Sequence, residues 1–343
     1  MNGISVIICA HNSADRIRPT LKALARCEAD FPVEIILVDN DSTDGTSRRA
    51  EEVWSTCDND RFSFSIIKEP QAGLAYARCA GVRAASFGIV IFCDDDNWLA
   101  EDYLMQAARI MRVSDVGAAG GCSTPANPEV LPPWFYTFSW GFAVGVPISK
   151  IAYLPDPPGA ETSVSALWGA GLVMRRDFIR HLYSLPGFPA LSGRKGAELL
   201  SGEDLEISAC LSAAGYRLIF SESLRFKHDI APGRLSVPYA KRLFANFGAG
   251  FAVHGQYTKI IEAMDQPWRA AGVGCARIIK HALLRRLNRA SCLSLFAALR
   301  TPALLTRDER QIYETVKRLR GGRSLPAQAR PPALRRVASQ SPA

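Results

Sequence analysis

The sequence predicts an α/β fold: a doubly wound, mostly parallel sheet with helices on both faces. Three observations point there. Short β-rich runs alternate with helical stretches through the first hundred residues. The runs are apolar along their length instead of alternating, as strands covered on both faces require. Polar and acidic clusters stand directly after three of the runs, at the strand ends where such sheets gather ligands.

Ile4–Cys9 reads as the first strand. His11-Asn12-Ser13 follows, with Asn12 or Ser13 placed to cap a helix over about residues 14–27. Glu34–Val38 is the second strand, and Asp39-Asn40-Asp41-Ser42-Thr43-Asp44-Gly45 is a turn feeding a helix over about residues 46–56. Phe64–Lys68 is a third strand, Ala72–Ala85 a helix and Gly88–Cys93 a fourth strand. Residues 121–165, rich in Pro, Gly and aromatics, predict long loops. A strand resumes at Leu172–Arg175, a helix spans about residues 202–214, and Tyr216–Phe220 and Leu224–His228 form two short strands. Helices dominate from about residue 237, and the tail rich in Pro, Arg, Ser and Ala reads as disordered. The expected division is a catalytic-type domain over 1–236, a basic helical appendage over 237–320 and a tail over 321–343.

The 48% hydrophobic and 22% charged composition supports a sizeable core and excludes general disorder. Charge is uneven. Residues 251–343 hold 17 Lys and Arg against 5 Asp and Glu, whereas residues 1–250 hold 24 against 28. Such an appendage suits an anionic membrane surface, or is a helical cover with a solvated basic face. No recognised nucleic-acid module accompanies the charge, so nucleic acid is not an expected partner. Nine dispersed cysteines without a CxxC pair suggest reduced thiols and a cytoplasmic location, with peripheral placement at the inner membrane face as a variant. The N-terminus reads as a strand and turn instead of a secretory leader, and no run reaches the roughly 18 apolar residues of a membrane span.

Asp94-Asp95-Asp96 follows the fourth strand directly. If extended geometry persists, Asp94 and Asp96 share one face and Asp95 takes the other. Clustered carboxylates repel unless solvated or neutralised, and hard oxygen ligands suit Mg2+ or Mn2+ together with substrate phosphates. Asp39 also ends a strand, where it either accepts a hydrogen bond from a base or ribose or, with Asp41, simply makes the turn. Gly202-Glu203-Asp204 opens a helix. Ser201 and Asp204 fit a variant capping box, and Asp204 is alternatively a general base. His228 is either a satisfied core histidine or a metal ligand through a neutral imidazole. Gly73-Leu74-Ala75-Tyr76-Ala77-Arg78 is too loose for a dinucleotide fingerprint or P-loop. Gly73 nonetheless permits close approach to a phosphate, and Arg78 is either an ion-pair partner or a charge near it.

In this order the segments resemble the family-2 glycosyltransferases of the inverting GT-A type. The matching stretches are SVIICAHN at 5–12, EIILVDNDSTDGT at 34–46, EPQAGLAYARCAG at 69–81, VIFCDDDNWL at 90–99, WGAGLVMRR at 168–176 and SGEDLEIS at 201–208. The resemblance covers about residues 4–240, closes on the strand ending at His228, and implies a nucleotide-sugar half over about 1–120 and an acceptor half over 121–236. It implies donor contacts from His11, Asn12, Asp39, Asp41, Gly73, Arg78, Asp94 and Asp95. Asp94, Asp96 and His228 would bind the metal, and Asp204 would be the catalytic base. Trp168, Gly169, Ala170, Gly171 and Glu203 would form the acceptor and donor-sugar pocket. Two departures concern Cys79, where Asn is common, and Cys9-Ala10-His11, where Pro-Thr-Tyr is frequent. The stretch LSGRKGAELLSGED at 191–204 is similar to bacterial members that build surface polysaccharides, which implies a saccharide or lipid-linked saccharide acceptor. Nucleotidyl transfer and non-catalytic sugar-nucleotide binding are the competing readings. A dehydrogenase is disfavoured because GxGxxG is absent after the first strand.

Overall fold

The computed structural model describes residues 3–147, 161–189, 202–265 and 307–321. The strands are β1 Ile4–Ala10, β2 Val33–Asn40, β3 Phe62–Glu69, β4 Ile89–Asp94, β5 Asn97–Leu99, β6 Val116–Pro125, β7 Glu161–Val164, β8 Leu172–Arg175 and β9 Arg217–His228. The helices are α1 Ile17–Ala25, α2 Thr46–Ser55, α3 Leu74–Ala84, α4 Tyr103–Met111, α5 Phe135–Phe138, α6 Arg176–Ser184, α7 Glu203–Ala213, α8 Val237–Asp265 and α9 Arg307–Gly321.

All nine strands join one mixed sheet in the order β3-β2-β1-β4-β8-β6-β9-β5, with β7 paired to β9. The first four strands are mutually parallel; β1, β2 and β4 are buried along nearly their whole length, as continuous apolar runs suit, and β3 is the half-exposed edge strand. The order reverses beside β1, so β1 and β4 send adjacent carboxyl ends to one edge. That is the switch point where open α/β sheets bind ligands. β8, expected only as a strand, is antiparallel to both β4 and β6.

Strand alternation divides the core. Ile4, Val6 and Ile8 of β1 face one apolar cluster with Ile17, Leu21 and Leu24 of α1. The spacing of these three helical residues, four then three, aligns them on one face. Ile7 faces the other cluster, shared with Ala77 and Val82 of α3 and Ile207 and Leu211 of α7. Tyr257 and Ile260 of α8 and Ile312, Val316 and Leu319 of α9 are buried in that same cluster. These parts of the basic C-terminal region thus pack on the sheet domain. Residues 266–306 and 322–343, which hold part of the expected appendage and most of the expected tail, lie outside the described residues.

Several expectations are corrected. α1 starts at Ile17, three residues late, because Ser13 gives its hydroxyl to Asp95 and its carbonyl to the turn preceding the helix. The second half of β6, from residue 121, and all of β7 are strands inside the region expected to be loop, since their small or polar residues lack a strong β pattern. The two short strands expected after residue 216 are one continuous strand, β9, whose register against β6 shifts between Gly120 and Cys122.

Candidate functional site

The carboxyl ends of β1, β2 and β4 open into a cavity of about 520 Å³. Its wall includes His11, Asn40, Gly73, Arg78, Asp94–Asp96, Trp168–Ala170, Glu203, Asp204 and His228. Residues from Cys9 to Phe251 therefore meet here. Asn12, Asp39, Asp41 and Gly171 do not line it.

Each of those four has a local role instead. The Asp39 carboxylate accepts from Ser42 N at 3.2 Å and from the Ser47 hydroxyl, so it ties the turn to α2. Asn12 and Asp41 adopt left-handed backbone with φ of 48° and 55°, and Asn12 Oδ1 accepts from Thr43 N at 2.9 Å. Gly171 O accepts from the buried Tyr103 hydroxyl. Asn40, which the sequence reading passed over, is the residue of this turn that reaches the cavity. Its amide donates to Glu69 O and Gln71 O, and its Oδ1 accepts from Gly73 N at 2.8 Å. Gly73 has φ of 140°, a conformation that side chains disfavour, and this leads the chain into α3 with its N–H already engaged.

β4 ends at Asp94, so strand alternation does not extend over the triplet. A turn separates the three side chains, and each meets a different guanidinium. Asp94 is 3.7 Å from Arg78, Asp95 is 2.7 Å from Arg16 and Asp96 is 3.3 Å from Arg234. Asp95 also accepts from the Ser13 hydroxyl, while its carbonyl accepts from Thr20 Oγ1 at 2.8 Å. It anchors α1. Burial raises the Asp95 carboxyl, with the neighbouring Asp96 charge adding to this and Arg16 opposing it.

Asp96 Oδ1 lies 3.4 Å from His228 Nε2, and both side chains are buried. Antiparallel pairing of Asn97 with His228 brings them together. Burial alone would raise the Asp96 carboxyl, but His228 and Arg234 outweigh it and hold the group well below the usual carboxylate range. Among the described residues, no three His, Cys, Asp or Glu side chains form a ready metal cage.

Asp204 sits in the first turn of α7, half-buried. The helix follows Gly202 and has no side-chain cap; Ser201 of the expected capping box lies outside the described residues. Asp204 Oδ2 accepts from Gly169 N at 3.1 Å and Oδ1 from Leu205 N at 2.9 Å. Burial raises its carboxyl above the ordinary value, with the Arg78 charge and these N–H donors opposing the rise. Glu203 is only 2% exposed. Its oxygens are taken by Arg78 Nη1 at 3.2 Å and the Tyr183 hydroxyl at 2.6 Å. Of this adjacent pair, Asp204 is the one free to meet a ligand.

Arg78 is itself buried, and its guanidinium lies 4.7 Å from the Phe92 ring centroid. A β-carbon at Gly169 would approach Arg78 Nη2 to 2.7 Å, so only glycine leaves room for it. Trp140, Phe142, Tyr239, Phe247 and Phe251 close the remaining wall as an aromatic face, and Trp140 packs on Phe244 and Phe247. Sequence reading missed this face because half of it comes from a Pro- and Gly-rich loop region and half from α8.

Comparison with known proteins gives the family and the fold. The chain is 25% identical over 248 residues to the glycosyltransferase AglE of Haloferax volcanii, covering 72% of this chain and 71% of AglE. It is 39% identical over 98 residues to the uncharacterized glycosyltransferase YfnE of Bacillus subtilis, covering 29% of this chain and 24% of YfnE. The chain spans only 29% of the length of another Bacillus subtilis relative, EpsH. Among solved structures, GalNAc-T7 crystallised with UDP, GalNAc and Mn2+ superposes with a TM-score of 0.52 at 18% identity, over 77% of this chain and 51% of that one, which shows the shared GT-A fold. The profile of glycosyl transferase family 2 matches residues 5–182, more than half of the sequence, and the chain belongs to that family.

Proposed function

We propose that the protein transfers a sugar, with inversion, from a nucleotide-sugar donor to a hydroxyl of a saccharide or lipid-linked saccharide. The observation that carries the reading is the convergence of Asp94, Asp96, His228 and Asp204 on one cavity at the switch point of the sheet. UDP is the first donor nucleotide to test, and polysaccharide or glycoconjugate assembly is the setting.

The donor set fits a divalent cation. Asp96 and His228 supply one carboxylate and one imidazole at a shared position, Asp94 lies on the same cavity wall, and phosphate oxygens and water would complete the shell. An imidazole ligand favours Mn2+ over Mg2+. Bound there, such an ion would neutralise charge on the departing diphosphate.

The protein's own groups do the rest. The acceptor hydroxyl oxygen attacks the anomeric carbon as its proton passes to Asp204. The new C–O bond forms as the bond from that carbon to the diphosphate oxygen breaks, and the bonding pair leaves on the diphosphate. Gly169 N and Leu205 N fix both Asp204 oxygens, so the base enters the reaction already oriented. The aromatic face offers an apolar platform for a sugar ring or an isoprenoid segment of the acceptor.

The test is incubation with a panel of nucleotide sugars and Mn2+, scoring free nucleoside diphosphate and glycosylated product. Nucleoside diphosphate with transferred sugar supports the reading. Pyrophosphate release would instead establish nucleotidyl transfer, and saturable binding without turnover would establish a binding protein.

A further inference from the structure

The three aspartate–arginine pairs are not equivalent. Arg78 is fixed by a second carboxylate, Glu203, and by burial. Arg16 is fixed by His11 O and Asn12 O, which its guanidinium also meets at 3.0 and 3.2 Å. Arg234 has Asp96 as its one side-chain partner among the described residues. It stands in a short helical turn, Pro232–Arg234, just after the strand that carries His228. Its side chain is 26% exposed and lines the cavity.

Asp96 is therefore held between an imidazole on one oxygen and a guanidinium on the other. A divalent cation arriving at Asp96 would meet a resident positive charge on the carboxylate it needs. A guanidinium released there would remain in the same cavity, and its fork of donors matches phosphate oxygens.

We propose that Arg234 is an exchangeable counter-cation. It occupies Asp96 while the donor site is empty and passes to the donor's diphosphate when a divalent cation takes the carboxylate. This rests on the metal and donor reading given above. It assigns Arg234 two opposed effects. Arg234 weakens binding of the metal alone and strengthens binding of the metal with nucleoside diphosphate. A merely structural arginine would not produce both.

The experiment measures Mn2+ binding by electron paramagnetic resonance and UDP binding by calorimetry in saturating Mn2+, with GDP in parallel. It compares the full chain with Arg234→Gln and Arg234→Lys. The expected result for Arg234→Gln is Mn2+ bound about threefold or more tightly in the absence of nucleotide, because a competing charge is gone. With Mn2+ present, nucleoside diphosphate should bind about tenfold or more weakly, the loss expected for a charge-assisted contact. Arg234→Lys keeps the charge without the fork and should fall between. Unchanged affinities in both assays overturn the proposal, as does weakening of both. Failure of the unaltered protein to bind either nucleotide with Mn2+ would instead strike the proposed function itself, and this inference with it.

Discussion

Arg78 Nη1 lies 3.2 Å from Glu203 Oε2, across 125 positions of sequence, and both side chains are buried. The pair joins the start of α3 to the start of α7, and so fixes the distance between the strand end carrying Asp94 and the helix turn carrying Asp204. Replacing Arg78 with Met would leave Glu203 buried without a counter-charge. The expected cost is about 3–5 kcal/mol of stability, read by denaturant unfolding. Tyr183→Phe removes one hydrogen bond to the same carboxylate and should cost about 1.5–3 kcal/mol.

Asp204→Asn should lower kcat for sugar transfer by about 10²–10⁴-fold, the range that general-base catalysis supplies. Nucleoside diphosphate affinity, measured by calorimetry, should remain unchanged, because Asp204 is not among the groups proposed to hold the metal or the diphosphate. Near-normal transfer by this variant would remove the base assignment.

Burial raises the Asp204 carboxyl above its ordinary value of 3.8. A general base works ionised, so its contribution is present above that raised pKa and is lost as pH falls through it. The acid limb of kcat/KM against pH should therefore lie above 3.8. A profile that stays flat below that value would contradict the role.

Exhaustive EDTA treatment should abolish transfer, and Mn2+ should restore it better than Mg2+. Asp96→Asn should prevent the restoration and, because it leaves His228 and Arg234 without their shared carboxylate, should also lower the melting temperature. Full activity after chelation would show that guanidinium groups alone neutralise the leaving group.

Trp140→Ala should raise the acceptor KM severalfold while donor affinity stays constant, since its ring belongs to the aromatic face proposed to receive the acceptor. An equal change for donor and acceptor would place the face elsewhere in the reaction.

The first four strands and α3 were legible in sequence because continuous β-branched runs and a helix rich in small residues mark a covered parallel sheet. The same holds for the cavity's acidic members, which stand at strand ends and one helix start. Of the three arginine partners only Arg78 stood out in the sequence; Arg16 and Arg234 did not. Nothing local tells Arg234 from other basic residues, and its pairing with Asp96 spans 138 positions. At Asp39 the strand-end position alone could not tell a donor contact from a turn residue, and in the structure Ser42 and Ser47 engage its carboxylate. The expected separation of Asp94 and Asp96 from Asp95 assumed an extended chain, and the turn after Asp94 replaces it. β6 escaped notice because Val116–Pro125 holds three glycines and few β-branched residues.

The close approach of Gly169 to Arg78 makes the two positions a single unit of variation. A methyl group at 169 would be accommodated only by a shorter or displaced partner at 78, and that change would release Glu203. Related sequences should therefore alter these positions together, and randomised libraries aimed at donor preference should diversify them jointly. Surveys of one position at a time would discard combinations that function.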